Sequence, residues 1–173
     1  MTDGKGKARM RDHFRRLAAY NVWANERLYE AVNELPVDRL MAENGAYFGS
    51  VFGTLTHILI ADRIWMYRLT GAGPTHTDLR DRPFETLGEL WMEREAMDRR
   101  IEGYIDDLPE SDYAAEAHYT NTRGEPHHLA RQIILTHVFN HQTHHRGQVH
   151  HMMSVEGVDP PPLDLLYFAL PAA

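Results

Sequence analysis

The sequence predicts an all-α protein: a four-helix bundle followed by a short C-terminal tail helix. Three observations carry this expectation. Four long segments place apolar residues at three- and four-residue steps, turn residues separate them, and strand signals are weak throughout. The first segment runs from about Met10 to Leu35, with Phe14, Leu17, Ala18, Val22, Trp23, Leu28 and Ala31 on its stripe and Pro36 as its stop. The second runs from about Val51 to Thr70, with Ser50 as N-cap and Gly71 as C-terminal stop. The third opens on Thr86-Leu87-Gly88-Glu89, a capping box, and continues to about Asp107 before Leu108-Pro109. The fourth is expected to open near Pro126 and to continue to about Glu156, with Gly157 just beyond. Ala117 to Thr122, the best strand candidate, reads as loop. Leu163 to Leu170, after Pro160-Pro161-Pro162, reads as the tail helix. The long link from Gly71 to Glu85 allows an up-down-down-up connectivity.

With 173 residues the chain suits one domain, residues 1–173, of which 1–8 are expected to be flexible. A net charge of -7 opposes binding to phosphate backbones, so nucleic acid is not an expected partner. There is no cysteine, which excludes disulfides, thiolate ligands and a cysteine nucleophile. The longest apolar stretch, Val51 to Ala61, is too short to cross a bilayer, and Met1 to Lys7 has no apolar signal-peptide core. The expectation is a cytoplasmic protein without a membrane partner.

Histidine is the residue type in excess: the chain has 12, six of them between His137 and His151. At roughly 100° per residue, Ala130, Ile134, His137, Val138, His141, His145, Gln148, Val149 and Met152 fall on one stripe of the fourth helix. Three imidazoles thus interrupt an apolar face at i, i+4 and i+8. A pair at i, i+4 can converge on one ion, whereas His137 and His145 are about 12 Å apart along the axis, too far to share one. The residues therefore leave His137/His141 and His141/His145 both open, with His144 at the stripe edge. His127, His128, His150 and His151 read as surface. In the second helix, His57 is the single histidine in a stretch, Asn44 to Ala61, that carries no Asp, Glu, Lys or Arg. Taken alone, it reads as a core histidine bonded to a backbone carbonyl.

The run Asn140-His141-x-x-x-His145-Arg146-Gly147-Gln148 resembles the last long helix of the DinB-like superfamily of bacterial four-helix bundles. Tyr20-Asn21-x-Trp23-Ala24-Asn25, His57-Ile58-x-x-Ala61-Asp62-x-x-Trp65 and Pro161-Pro162-x-Asp164-Leu165 agree in order. The resemblance implies one divalent metal held by His57, His141 and His145, a homodimer, and thiol-dependent transferase, isomerase or metal-dependent hydrolase activity on an unknown small molecule. His137 and His144 are additional imidazoles near that set.

Three neutral imidazoles leave a further position for water or substrate. Zinc fits them on softness and geometry, while nickel, iron or manganese would need a larger shell. An ion there can activate water or an external low-molecular-weight thiol, since the chain supplies none. No catalytic side chain is assigned. Asp62 is expected to orient an imidazole or to pair with Arg146, and Trp23 and Trp65 to pack in the core. The alternative to an enzyme is a non-catalytic, stress-induced bundle in which the ion is a staple and the protein binds a ligand or partner. A cleft open at the histidines favours the enzyme; a fourth protein ligand such as His137 or Asp62 favours the staple.

Overall fold

The computed structural model describes residues 9–171, so the expectation for residues 1–8 lies outside it. Four long helices, α1 (Met10–Val32), α3 (Val51–Thr70), α4 (Leu87–Asp107) and α5 (Arg131–Val155), form the bundle. Two five-residue helices, α2 (Val37–Met41) and α6 (Leu165–Ala169), flank it, and a hairpin of β1 (Glu116–Thr120) and β2 (Pro126–Ala130) precedes α5. No helix among the described residues is long and apolar enough to cross a membrane.

The caps act where the sequence places them. Ser50 Oγ accepts from Gly53 N at 3.0 Å, and Gly71 turns left-handed at φ 71° to end α3. Thr86 and Glu89 close a reciprocal capping box at the start of α4. Cross-helix contacts give the helix directions. Tyr29 meets Trp91 while Arg15 meets Asp106, so α1 and α4 are antiparallel. His57 meets His145 while Trp65 meets His137, so α3 and α5 are antiparallel. Asp62–Arg94 and Thr70–Arg100 make α3 and α4 parallel, and Phe14–Phe139 with Asn21–Arg146 does the same for α1 and α5. The connectivity is up-down-down-up, with α4 lying beside α3 in the same direction by virtue of the long link.

Three boundaries differ from the sequence reading. Helix α1 ends at Val32 rather than Leu35: Glu34 N and Leu35 N bond back only three residues, to Ala31 and Val32, and a residue before proline is disfavoured in helical backbone. Residues 117–122 are not loop but mostly strand, and 126–130 are strand rather than the start of the last helix. Antiparallel pairing from Glu116↔Ala130 to Thr120↔Pro126 takes both segments. Between them, the Asn121 side-chain oxygen accepts from Arg123 N at 2.8 Å and Glu125 N at 3.0 Å, which fixes the turn.

The core is apolar at both ends of the bundle and polar across its middle. Leu28, Leu55, Leu59, Leu90, Ile101, Ile105, Leu135 and Val149 are fully buried. Between them lie Asn21 and Asn25 of α1, Asp62 of α3, Arg94 and Asp98 of α4, and Gln142 and Arg146 of α5, all buried. Arg94 Nη1 donates to Asp62 at 2.5 Å, its Nη2 is 2.8 Å from Asp98, and Gln142 Nε2 donates to Asp62 at 2.8 Å. Arg146 donates to the amide oxygens of Asn21, Asn25 and Gln142. Two aspartates and two arginines balance, and the ties from Arg94 and Gln142 to Asp62 and from Arg146 to Asn21 and Asn25 join different helices, which fixes their register.

Candidate metal centre

The centre is built where α3 and α5 cross. His57 sits one turn and a half inside α3, 3% exposed, because the helix there is buried on nearly every side. His141 and His145 lie one turn apart on α5 and face it. One ring nitrogen from each of the three lies within 4.8 Å of the others. His57 Nε2 and His141 Nε2 are 3.2 Å apart. Two nitrogens on one tetrahedral zinc, each at ~2.0–2.1 Å, stand about 3.3 Å apart, so the spacing fits a shared ion as well as a hydrogen bond between the two rings.

Neighbours set the tautomers. The Leu79 carbonyl, from the α3–α4 link, can only accept, so at 3.3 Å it takes the proton of His57 Nδ1 and leaves the Nε2 lone pair facing inward. Gln148 Oε1 does the same for His145 Nδ1 at 2.7 Å, while its amide nitrogen lies 3.3 Å from His144 Nε2. The carbonyl expected as a partner of His57 is thus that of Leu79, and the second ring nitrogen in addition meets His141. Phe48 stacks on the His57 ring at 3.6 Å between centroids and presents an edge to His145 at 5.6 Å. That stacking depends on Gly53, since a Cβ there would meet the Phe48 carbonyl at 2.1 Å. Arg82 Nη2 donates to the same carbonyl at 3.0 Å, so the α3–α4 link clamps the site twice.

Burial keeps these imidazoles neutral. Desolvation lowers the pKa of His57 to about 4 and, with the neighbouring histidines, that of His141 to about 3. His145 is also lowered, chiefly by burial. Neutral nitrogens with inward lone pairs are what a divalent ion requires.

The other candidates lie elsewhere. His137 is not on the inward stripe: it is exposed at the backbone edge, and its ring leans on Trp65 at 5.1 Å and on His141 at 5.7 Å. The buried face of α5 instead runs through Ile134, Val138, Gln142, His145, Arg146 and Val149. A pattern built on apolar residues omits Gln142 and Arg146, and so places the stripe's centre too near His137. His144 is exposed and meets only the His145 ring and Gln148. Asp62 touches no imidazole and forms no bond with Arg146; its partners are Arg94 and Gln142. Burial pushes its carboxyl up to about 6 against the pull of Arg94. Trp23 and Trp65 are half-buried rather than core: Trp23 packs on Phe168 of α6, and Trp65 lines the cleft.

That cleft, about 400 Å³, opens from His57 and His141 and is walled by Trp65, Leu79, Tyr119 and His137. The hairpin forms its far side, and a neighbouring cavity of about 590 Å³ shares Ile64, Arg68, Tyr119, Asn121 and Thr122 with it. A third cavity, on the α1–α4 side beside Arg94 and Asp98, does not include the histidines. Among the described residues no fourth histidine, aspartate or glutamate joins the three-histidine group. The Phe48 stacking and the Leu79 carbonyl were not readable as site features, since neither has a periodic signature. The hairpin left a signal: Asn121 and Gly124 between two short runs mark a turn.

Comparison with known proteins agrees with this architecture. The model of the DinB family matches residues 10–172. Protein DinB of Bacillus subtilis is 26% identical over 165 residues, covering 90% of this chain and 92% of that protein. The crystal structure of a DinB-like protein from Bacillus cereus superposes with a TM-score of 0.61 at 19% identity, over 81% of this chain and 90% of that one, a likeness of fold.

Proposed function

The chain belongs to the DinB family, and from that premise we propose that it is a metal-dependent enzyme whose ion is held by His57, His141 and His145. The observation that carries the reading is the cleft: two of the three histidines line a 400 Å³ cavity, and no fourth side chain of the described residues closes the set. A staple is closed by protein ligands, whereas a catalytic site keeps one side for substrate. Of the two side chains that could close it, Asp62 is engaged by Arg94 and Gln142, and the His137 ring leans on Trp65.

When bound, zinc or a similar divalent ion supplies Lewis acidity toward water or a thiol entering from the cleft. The chain's own residues do the rest. Leu79 and Gln148 hold His57 and His145 in the tautomer that presents Nε2 inward. Phe48, itself buried, stacks on His57 and shields that face of its ring from water. With no cysteine in the sequence, a thiol-dependent reaction takes its thiol from solution. Hydrolysis and thiol transfer are therefore the two reactions the centre can serve.

Cobalt(II)-loaded protein tests the reading and separates these. Azide should shift the visible cobalt bands, as expected of a position open to the cleft, and an added low-molecular-weight thiol should bring a sulfur-to-cobalt charge-transfer band if transfer is the reaction. Bands unchanged by either additive would favour the closed, non-catalytic staple.

A further inference from the structure

The residues of α3 that face the cleft are His57, Ala61, Ile64, Trp65 and Arg68, one stripe at steps of four, three, one and three. The histidine stands at one end and an arginine at the other, about 16 Å apart along the axis at ~1.5 Å per residue. Arg68 reaches back toward the helix N-terminus: its guanidinium carbon lies 4.5 Å from the Trp65 ring centre and 5.1 Å from that of Tyr119 on the hairpin. Two aromatic faces thus hold it in the cleft wall.

This arginine differs from the other shielded ones. Arg63 pairs with Glu93, Arg94 with Asp62 and Asp98, Arg146 with the amide oxygens of α1 and α5, and Arg100 with Thr70 and the Ala72 carbonyl. Arg68 has no carboxylate and no hydrogen-bond acceptor among the described residues. Burial accordingly disfavours its charged form, with no ion pair to compensate. Its surroundings are equally selective. The chain carries 25 acidic residues, yet none lines this cleft or the cavity that adjoins it. Each of the other cavities described is walled by glutamate or aspartate. A half-desolvated guanidinium without a counter-charge, in an acid-free cleft of an acidic protein, is a site for an incoming anion.

The kind of anion follows from the charge count. Arg68 is the one fully charged cation on the cleft wall, the rest being histidines and neutral groups. A planar carboxylate is satisfied by a single guanidinium fork, whereas a phosphate monoester dianion calls for several cations or a helix N-terminus. The N-terminus of α3 is at the opposite end of the stripe, and no residue of the first turn of α5, which begins at the Arg68 end, lines the cleft. On the side formed by α3 and the α3–α4 link the wall is apolar and aromatic, with Ala61, Ile64, Trp65 and Leu79, while the hairpin side adds Tyr119 and the polar Asn121, Thr122 and His127. We propose that the cleft selects an elongated monocarboxylate with an apolar chain, its carboxylate paired with Arg68 and its far end at the three-histidine centre. This rests on the reading of that centre as the reacting end of the cleft.

The test is calorimetric titration of the zinc-loaded full chain with 6-phenylhexanoate, with its primary amide, and with 5-phenylpentyl phosphate. The carboxylate should bind about tenfold or more tightly than the amide, the difference a charge-assisted hydrogen bond brings, and no more weakly than the phosphate. Arg68→Met keeps the packing on Trp65 and should erase the preference for carboxylate over amide. Equal affinity of carboxylate and amide in the wild type, or no binding of either, overturns the proposal without recourse to a variant. A preference surviving in Arg68→Met would put the carboxylate on the ion and also overturn it, as would tighter binding of the phosphate. Zinc content measured on the same samples separates the two readings. One zinc without discrimination removes only the Arg68 subsite, and discrimination without zinc removes only the metal centre.

Discussion

His57 Nε2 and His141 Nε2 stand 3.2 Å apart although they come from antiparallel helices and are 84 residues apart in sequence. The Leu79 carbonyl holds the proton of His57 on its far nitrogen, so His57 Nε2 presents a lone pair that either a proton on His141 Nε2 or a shared cation satisfies. A cation takes both lone pairs once His141 carries its own proton on Nδ1, and the consequences can be measured.

Removing the ion should lower stability. An ion that binds only the folded state adds about 2.7 kcal/mol when present at 100 times its dissociation constant. The melting temperature should therefore fall on chelation and return with added zinc. A melting temperature indifferent to verified removal would break the link between binding and folding.

The metal-free protein should lose stability in acid through these same histidines. Their folded-state pKa values, about 4 for His57 and about 3 for His141, lie below the unfolded value of 6.5. The unfolded chain therefore binds more protons below pH 6.5, and stability present above that pH is lost as pH falls toward 4. Asp62, held up to about 6 by burial, has the opposite slope between its ordinary value of 3.8 and 6. The comparison is thus with His141→Gln, which retains Asp62. Between pH 7.5 and 5 the melting temperature of the wild type should fall further than that of the variant; parallel curves would refute the assignment.

Asp62 should matter for stability and not for the ion. It is 1% exposed and bonded to Arg94, itself 2% exposed, so Asp62→Ala leaves a buried guanidinium short of a partner. Breaking such a pair costs about 3–5 kcal/mol. Urea unfolding should show that loss while zinc content stays at one equivalent. Loss of the ion at unchanged stability would return Asp62 to the site.

Gln148 should affect affinity alone. Its carbonyl oxygen is 2.7 Å from His145 Nδ1 and orients the ring. Gln148→Leu should weaken zinc binding by about 10–100-fold in competition with a chromophoric chelator, at nearly unchanged stability. Wild-type affinity would mean that the ring is oriented by packing on Phe48 alone.

The bundle was legible because its signals are local: the caps at Ser50 and Thr86 and the periodicity of α1, α3 and α4 each reside in a few adjacent residues. Two elements were not. The hairpin pairs Glu116 with Ala130 across a turn, and Pro126 imitates the first turn of a helix. The polar layer was hidden because Gln142 and Arg146 are core residues only in the presence of Asp62, Arg94 and Asn21 from three other helices. For the site, spacing alone left His137 and His145 as rival partners of His141, and family resemblance chose His145. In the structure it is His145, 8% exposed, that faces His57, while His137 turns to Trp65. Phe48 and the Leu79 carbonyl act through contacts with a distant helix, which no local pattern encodes.

The central claim, that His57, His141 and His145 together hold one divalent ion, is tested most directly by elemental analysis of purified protein and of its single alanine variants. The wild type should carry one equivalent, as should His150→Ala and His151→Ala, whereas His57→Ala, His141→Ala and His145→Ala should carry almost none. A full equivalent retained by folded His141→Ala would contradict the account.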